Sequence, residues 1–578
     1  MTTTVEEDID AKLPVTVGIN LAEAFLTHAG TGIRIAGTVH TQIAKICTVL
    51  GLQVSLSVGV KQDPKPRTGA DIAEPLAITI HVGDAVCRFP DWLPTMAASL
   101  FTGSWPGPDE RADSAAWSVG AEDPTRLADV VGLVCYEAIR TRPSVLMTRE
   151  AIRSYAKRLA TEMPELTSMA DDEEWLREIL SAVIDLGISV ADVGHVGRVL
   201  REHEGAVACQ AAEAIIGELA ADTIGLKVPD EVGAEMGLGD SSNPDDLIAF
   251  AETALFEETG IVMPRVVLEP CDELPPGTFA IRVNDLTSLA TLLLPPDTAL
   301  VNDTSERLSL GGEMAQPVLN PATDQPGSLV RSSRREVLEA EGLTTWNRAG
   351  HVILELATIL RRQVAMVVSQ DRMLAQLDVL EEYTPAVVRA ARAQLPPAEL
   401  TALLRRLAAD RVSLRPLVSV LERIVDLPAQ EAGMGRYALL TDPVHPAAGG
   451  SPSPRENAAD SFIRTGLRYH LAQQFAPFPG TLVAYLVDPQ LELMACAPGR
   501  SEEAENRILD AVAGELSALP PTARTPVILT NAATRGTLQQ LLRSRYPLIV
   551  VLSHEDLPAS VAVQPIARIA AETPGESR

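Results

Sequence analysis

The stretch Glu258-Thr-Gly-Ile-Val-Met-Pro-Arg-Val-Val-Leu-Glu-Pro-Cys-Asp-Glu-Leu-Pro-Pro-Gly-Thr-Phe-Ala-Ile-Arg-Val-Asn-Asp285 decides how this chain is read, together with its continuation Leu400-Thr-Ala-Leu-Leu-Arg-Arg-Leu-Ala-Ala-Asp-Arg-Val-Ser-Leu-Arg-Pro-Leu-Val-Ser-Val-Leu-Glu-Arg423. The first part offers two strand candidates, Ile261 to Val267 and Phe279 to Asp285. The second reads as helix, short turn with a β-branched residue and a serine, then helix. Each piece has a counterpart nearer the N-terminus.

Upstream, Val15 to Ile19 is strand-like, Thr41 to Leu50 is helix-like, and Gly51 stands where glycine ends helices. Leu52 to Val60 is a strand candidate, Lys61 to Glu74 a loop, and Ala77 to Val82 alternates with the period of a strand. After an irregular run from 102 to 124, Leu127, Val130, Val131, Val134 and Ala138 are spaced to fill one helix face. Thr148 is placed to cap the next helix, and Trp175–Leu186 and Val190–Leu200 follow as two more.

Four blocks of this first half match the second in order. Leu52–Val58 lies on Ile261–Val267, Ile78–Asp84 on Phe279–Asp285, and Thr148-Arg-Glu150 on Ser369-Gln-Asp371. Leu176 to Val193 runs without a gap against Leu400 to Leu417, so that Ser189 falls on Ser413, Val196 on Val420 and Leu200 on Ile424. The serine of each turn is placed to cap the second helix. The fold class expected is therefore α/β of mixed α+β character, with several subdomains. Residues 1–225 are a degenerate first copy of a strand-helix plus helical-hairpin module, and 226–425 are the second copy. A flexible Pro/Gly/Ser-rich linker spans 426–460, and a small C-terminal α/β domain spans 461–578. In that last domain, Thr481–Asp488, Pro526–Thr530 and Leu548–Ser553 read as strands and Glu502–Leu516 and Thr534–Ser544 as helices, which favours a small parallel or mixed sheet.

The chain has 578 residues and a net charge of −29. Such charge repels phosphate backbones, so nucleic acid and anionic membranes are not expected partners. No apolar run approaches the roughly 20 residues of a membrane span, and the acidic N-terminus is no signal peptide, so the expected location is cytoplasmic. Six cysteines lie far apart with no CxxC pair, which favours buried free thiols over a zinc site or disulfide framework.

Chemistry-bearing motifs are sparse. Gly237-Leu-Gly-Asp-Ser241 lacks the full set of a phosphate loop. His195, His203 and His351 lack the spacing that puts two imidazoles on one helix face with a carboxylate. Ser553-His-Glu-Asp556 cannot form a triad from adjacent residues, because they point in different directions. Asp171-Asp-Glu-Glu174 suits a helix N-terminus, and Arg331-Ser-Ser-Arg-Arg335 is a compact basic cluster on a loop. No catalytic residue, cofactor or metal is expected.

The ordered series resembles the cytoplasmic domain of the FlhA, or FHIPEP, family of flagellar and type III secretion export-gate proteins. The resemblance rests on Gly260-Ile-Val-Met-Pro-Arg-Val, Leu274-Pro-Pro-Gly-Thr-Phe-Ala-Ile-Arg-Val, the helix His351–Arg362, Ser369-Gln-Asp371, Val487-Asp-Pro-Gln-Leu-Glu492, Pro526-Val-Ile-Leu-Thr, Tyr546-Pro547 and Val550-Val-Leu-Ser553. It covers roughly 230 to 570, more faintly 14 to 205. It implies a non-enzymatic docking platform for export chaperones, substrates or secretion components, assembled as a homo-oligomeric ring. The chain departs from the family in having no membrane-spanning stretch, with the first copy standing in that place. The family's docking segment, of the form Pro-Ala-Phe-Gly-Leu-Pro-Ala-Leu-Trp, here reads Pro321-Ala322-Thr323-Asp-Gln-Pro326-Gly-Ser-Leu329. Thr323 replaces the phenylalanine and Leu329 the tryptophan, the aromatic anchors of such a site. The first copy has Trp117 at the corresponding place. Those losses favour, as an alternative, a repurposed soluble scaffold outside secretion. A small-molecule-binding enzyme is the remaining alternative.

Overall fold

The computed structural model describes residues 15–21, 30–62, 78–83, 85–90, 92–107, 123–170, 172–236, 247–320, 325–427, 454–476, 480–497, 500–517, 527–543 and 545–570. Alternation along Val15–Leu21 (β1) puts Val15, Val17, Ile19 and Leu21 on one buried face. Helix α1 (Thr31–Leu50) buries Ile35, Val39, Ile43, Ile46 and Leu50 at three- and four-residue spacing and ends at Gly51, φ 75°. The crossover returns β2 (Leu56–Gln62) parallel to β1. The hairpin β3 (Thr79–Val82) and β4 (Ala85–Cys87) adds antiparallel on the other side, giving the order β2-β1-β3-β4.

Helix α2 (Leu93–Thr102) leads away from this sheet. Helix α3 (Pro124–Arg140) starts where the Asp123 carboxylate accepts from the Thr125 and Arg126 amides, and it buries the face its spacing predicts. Thr148 caps α4 (Arg149–Glu162) as expected, through the Ala151 amide. A hairpin of α5 (Glu173–Asp185) and α6 (Val193–Glu202), then α7 (Ala208–Leu219), complete the first unit.

The second unit has the same connectivity. Strand β5 (Thr223–Lys227) is followed by α8 (Leu247–Thr259), parallel β6 (Arg265–Glu269) and the antiparallel hairpin β7 (Thr278–Val283) and β8 (Leu286–Thr287), in the order β6-β5-β7-β8. β5 crosses the boundary expected at 225/226 and belongs wholly to the second sheet.

A second sheet here was not foreseen from the sequence. Strand β9 (Thr291–Leu292) pairs with β7, and then β10 (Thr298–Val301), β11 (Gln316–Asn320), β12 (Gln325–Arg331) and β13 (Thr345–Trp346) form an antiparallel sheet ordered β11-β12-β10-β13. Its strands are short, and its hydrophobic positions did not separate from loop in the sequence. Helices α9 (Arg348–Arg362), α10 (Gln370–Tyr383), α11 (Pro385–Gln394), α12 (Pro397–Ala409) and α13 (Leu417–Val425) follow, with Ser369 capping α10 through the Arg372 amide.

The turn serines do not cap the second helices of the hairpins. Those helices begin four residues later than the serines, α6 is capped by Asp192, and α13 has no side-chain cap. Ser189 and Ser413 instead accept from Ala191 and Arg415 within the turns. The last seven residues of the expected linker are helical, because α14 (Pro454–Gly466) already begins at Pro454, and α15 (Arg468–Phe475) follows after Leu467. Of the rest of that linker, 428–453 lies outside the described residues.

The C-terminal sheet holds the three expected strands and a fourth, at the C-terminal end, that was not foreseen. β14 (Thr481–Val487), β15 (Val527–Thr530), β16 (Val550–Ser553) and β17 (Ala562–Ile569) are all parallel neighbours in the order β16-β15-β14-β17, with α16 (Glu502–Ser517) and α17 (Ala532–Arg543) among the connections. One continuous apolar core runs through both α/β units, whereas the C-terminal sheet has its own apolar layers. Cys47, Cys87 and Cys135 are buried free thiols, but Cys209 and Cys271 are half-buried and Cys496 is exposed. Among the described residues, no helix is long and apolar enough to cross a membrane.

Candidate docking surface

The small sheet β10–β13 carries the segment singled out for docking. Side chains alternate along its strands, so Leu300, Val318 and Leu329 face one apolar layer and Ala299, Val301 and Val330 the other. Pro326 is half-buried on β12 opposite Leu319. A proline has no N–H to give a ladder, and β11 is the outer strand, so the Leu319 amide is free to point outward. Leu329 is only 6% exposed and faces the interior, so its side chain is not offered to a partner in this arrangement. Pro321, Ala322 and Thr323 lie outside the described residues, as does Trp117.

The tryptophan that the first unit does bring to this sheet is Trp105. It is 7% exposed and packs with Leu292, Leu294, Leu300, Val318 and Leu329. Its Nε1–H donates to the Leu293 carbonyl at 3.4 Å. Beside it, the outward amide of Leu319 donates to the Pro106 carbonyl at 2.7 Å. Its signal in the sequence was weak, because residues 102–124 read only as an irregular loop.

Trp105 also stands edge-on to His351, with ring centroids 5.0 Å apart, and Phe279 flanks the same imidazole at 5.6 Å. His351 is fully buried with neither ring nitrogen partnered, and burial pushes its pKa down to about 3. One helical turn on, Glu355 is 4% exposed. Its Oε1 has no partner, and burial pushes its pKa up to about 7 against the pull of Arg362. The Arg362 guanidinium stacks 4.7 Å from the Trp92 ring. Thus the tryptophans flanking α2 bracket α9 from end to end. Just before them, Arg88 reaches the C-terminal domain, pairing with Glu505 at 2.9 Å and donating to Asn506 at 3.3 Å.

The C-terminal domain is held to α12 and α14 by a buried charged seam. Arg535 pairs with Asp410 at 2.8 Å and with Asp460, Arg543 pairs with Asp410 at 2.7 Å, and Arg464 pairs with Asp556 at 3.0 Å. Burial alone would raise the Asp410 pKa, but Arg535, Arg543 and Arg464 outweigh it and hold it at about 2.

The motifs weighed for catalysis have structural roles. Ser553 and Asp556 form a reciprocal capping box, and Asp556 also holds Arg464. His195 pairs with Glu218 at 2.6 Å, and His203 Nδ1 lies 2.9 Å from the Val199 carbonyl. Asp172 caps α5. Within the basic cluster, Arg334 pairs with Glu313 and Arg335 with Glu339. Residues 237–241 and Asp171 lie outside the described residues. Among the described residues, no group of three or more His, Cys, Asp or Glu side chains could hold a metal ion.

Comparison with known proteins matches residues 197–562 to the FHIPEP family model. Low calcium response locus protein D of Yersinia pestis is 21% identical over 339 residues, covering 56% of this chain and 44% of that protein. The flagellar biosynthesis protein FlhA of Yersinia enterocolitica is 24% identical over 322 residues, covering 52% of this chain and 41% of that protein. The chain thus spans under half the length of these curated relatives. Among solved structures, the CdsV protein of Chlamydia pneumoniae superposes with a TM-score of 0.51 at 20% identity, covering 60% of this chain and 97% of that one. The likeness to CdsV is one of fold, over 60% of this chain.

Proposed function

The chain belongs to the FHIPEP family, and from that premise we propose that it is a non-enzymatic docking platform of the protein-export type, working in the cytoplasm through protein–protein contacts. The observation that carries this reading is that residues 197–562 match the family model, while the chain also covers 97% of the solved CdsV structure. Partners in this reading are export chaperones, export substrates or secretion components. A solved complex of CdsV with CdsO supports the protein-partner class. Leu310 and Met314, at the turn that leads into β11, are 90% and 91% exposed and supply apolar contact area beside the small sheet. Pro321, Ala322, Thr323 and Pro326 are the contact residues of this reading, and Leu329 belongs to the apolar layer of the same sheet.

Residues 1–225 and 226–425 are, in this reading, two copies of one module. The shared strand order and the matched helix starts at Thr148 and Ser369 support it. Assembly into a homo-oligomeric ring belongs to the same proposal. Affinity purification with mass spectrometry, paired with the native mass, tests it. Recovery of an export chaperone, a secreted protein or a secretion component with an oligomeric chain is the expected result. A monomer that recovers none of them overturns the reading.

A further inference from the structure

We propose that residues Arg88–Gly107 are a strap with which the first module occupies the docking face of the small sheet in cis, and that an extended peptide bearing an aromatic side chain takes its place by adding to the edge of β11. The inference rests on the docking reading of that sheet and adds its regulation.

Three placements carry it. First, the strap leaves its own module and touches every other unit. Arg88 holds Glu505 and Asn506 in the C-terminal domain, Trp92 lies over Arg362 at one end of α9, and Trp105 lies over His351 at the other. Second, its terminal part behaves as a short guest strand. The Pro106 carbonyl takes the outward amide of Leu319 on the edge strand, and Trp105 fills the apolar layer of that sheet, which is how an added strand binds: main chain to edge, side chain to pocket. Gly103, at φ 65°, gives the sharp exit from α2 that lets the strap turn onto the sheet.

Third, the closed arrangement is an imperfect fit. Beneath Trp105, His351 is sealed from water with neither nitrogen partnered, and Glu355 has an unpartnered oxygen. The indole meets the imidazole edge-on and satisfies neither nitrogen. Buried polar groups without partners weaken the state that buries them. A guest strand with equal apolar cover and a hydrogen-bonding group would therefore displace the strap.

Exchange is tested on the full chain with a fluorescent peptide of its own residues 100–107, followed by anisotropy, and with hydrogen exchange at the Leu319 amide. The wild-type chain should bind the peptide weakly, and Trp105→Ala should bind it at least about tenfold more tightly, as release of a competing cis occupant requires. In Trp105→Ala the Leu319 amide should exchange faster, and added peptide should restore its protection. Trp105→Phe keeps a ring in the pocket but loses the bond to Leu293, and serves if the alanine variant unfolds; it should fall between the two. A folded variant that binds no better than wild type overturns the proposal. Because the probe is the chain's own sequence, the assay reads the strap independently of any export partner. Peptide exchange with no export component recovered leaves the strap standing and removes the docking reading. Recovered export components without peptide exchange do the reverse.

Discussion

Helices α3 and α9 stand at the same point of the two α/β units, each leading through a one-turn 3-10 helix into a helix capped by Thr148 or Ser369. Counting back from those caps, Val130 and Val134 of α3 stand where α9 has His351 and Glu355. All four are buried. The first unit fills the positions with valine, as a packed helix face demands; the second places two polar groups there, with both His351 nitrogens and the Glu355 Oε1 left without a hydrogen bond. A structural need for polarity at these positions would appear in both. It appears only where a strap from the other unit lies across the helix, which is why the pair is better understood as part of a site than as part of the core.

The helical-hairpin turns differ in the same instructive way. At the α5–α6 turn, Gly187 takes φ 71°, and Arg411 takes φ 64° at the α12–α13 turn. Each turn presents one carbonyl and, two residues on, one amide. Asp285 answers both groups of the first turn, giving its own amide to the Gly187 carbonyl and its carboxylate to the Ser189 amide. Gln474 of α15 answers both groups of the second, giving its Nε2–H to the Arg411 carbonyl and accepting from the Ser413 amide. So each hairpin tip is a socket for the next unit along the chain. Beside it, Leu186 in the first unit is replaced by Asp410 in the second, which turns an apolar junction into the charged seam.

The largest expected effect breaks that seam. Asp410→Ala takes one of two carboxylate partners from buried Arg535 and the partner of half-buried Arg543, and should cost about 3–5 kcal/mol in denaturant unfolding, whereas Leu186→Ala should cost about 2–4 kcal/mol through a cavity alone. The two differ in acid. Asp410 is held at about 2 in the fold against 3.8 unfolded, so its contribution is complete above 3.8 and is lost as the pH falls through 2. Wild type and Leu186→Ala should keep that acid-dependent loss, and Asp410→Ala should lack it.

Next in size are the two left-handed glycines that end α1 and α8. A Cβ on Gly51 would lie 2.2 Å from the Ala191 Cα, and one on Gly260 would lie 2.1 Å from the Arg415 nitrogen. In both, the residue before the glycine accepts from the turn: the Leu50 carbonyl from Val190 and the Thr259 carbonyl from Leu414. Gly51→Ala and Gly260→Ala should each cost about 3 kcal/mol, combining backbone strain with a collision that no side-chain rotation relieves. Thermal unfolding that penalises one and spares the other would break the correspondence between the units.

A smaller effect of opposite sign is expected from the polar pair. His351→Leu and Glu355→Leu should each stabilise the chain by about 1–2 kcal/mol, since they remove buried groups that lack partners. Their pH dependences oppose one another. His351, lowered to about 3 from 6.5, contributes fully above 6.5 and loses that contribution as the pH falls through 3. Glu355, raised to about 7 from 4.5, contributes fully below 4.5 and loses it as the pH rises through 7. Between 4.5 and 6.5, stability should therefore fall with pH in His351→Leu and rise with pH in Glu355→Leu, once each is referred to the double variant.

What could be read from the sequence follows from the range of the forces involved. Strands β14–β16, the face of α3 and the caps Thr148 and Ser369 are written in local periodicity and local hydrogen bonds, and they were legible. The role of Ser189 and Ser413 was misplaced, because whether a serine caps a helix or a turn depends on where the helix starts, and that boundary is set by the unit docked on the turn. The candidate site was half legible. Its segment 321–329 was singled out by likeness to a family, though not as a strand, but Trp105 lies far from it in sequence and came from a run with no period. His351 was noticed as a lone helical histidine. Its meaning emerges only beside Val130, once the two helices are placed in common register.

The smallest effect tests the sockets themselves. The carboxylate of Asp285 takes one amide and its main chain does the rest, whereas Gln474 makes both contacts with its side chain. Asp285→Ala should then cost about 1 kcal/mol and leave the Gly187 contact in place, while Gln474→Ala should cost about 1–2 kcal/mol and lose both contacts. Amide exchange separates the two at the residues concerned: Ser189 should lose protection in the first variant and Ser413 in the second, with Asp285's own amide still protected in both. Equal, small losses confined to the mutated turn would mean that each socket acts alone. Loss of protection at both turns from either change would mean that the units are held as one cooperative stack, in keeping with the single apolar core that runs through them.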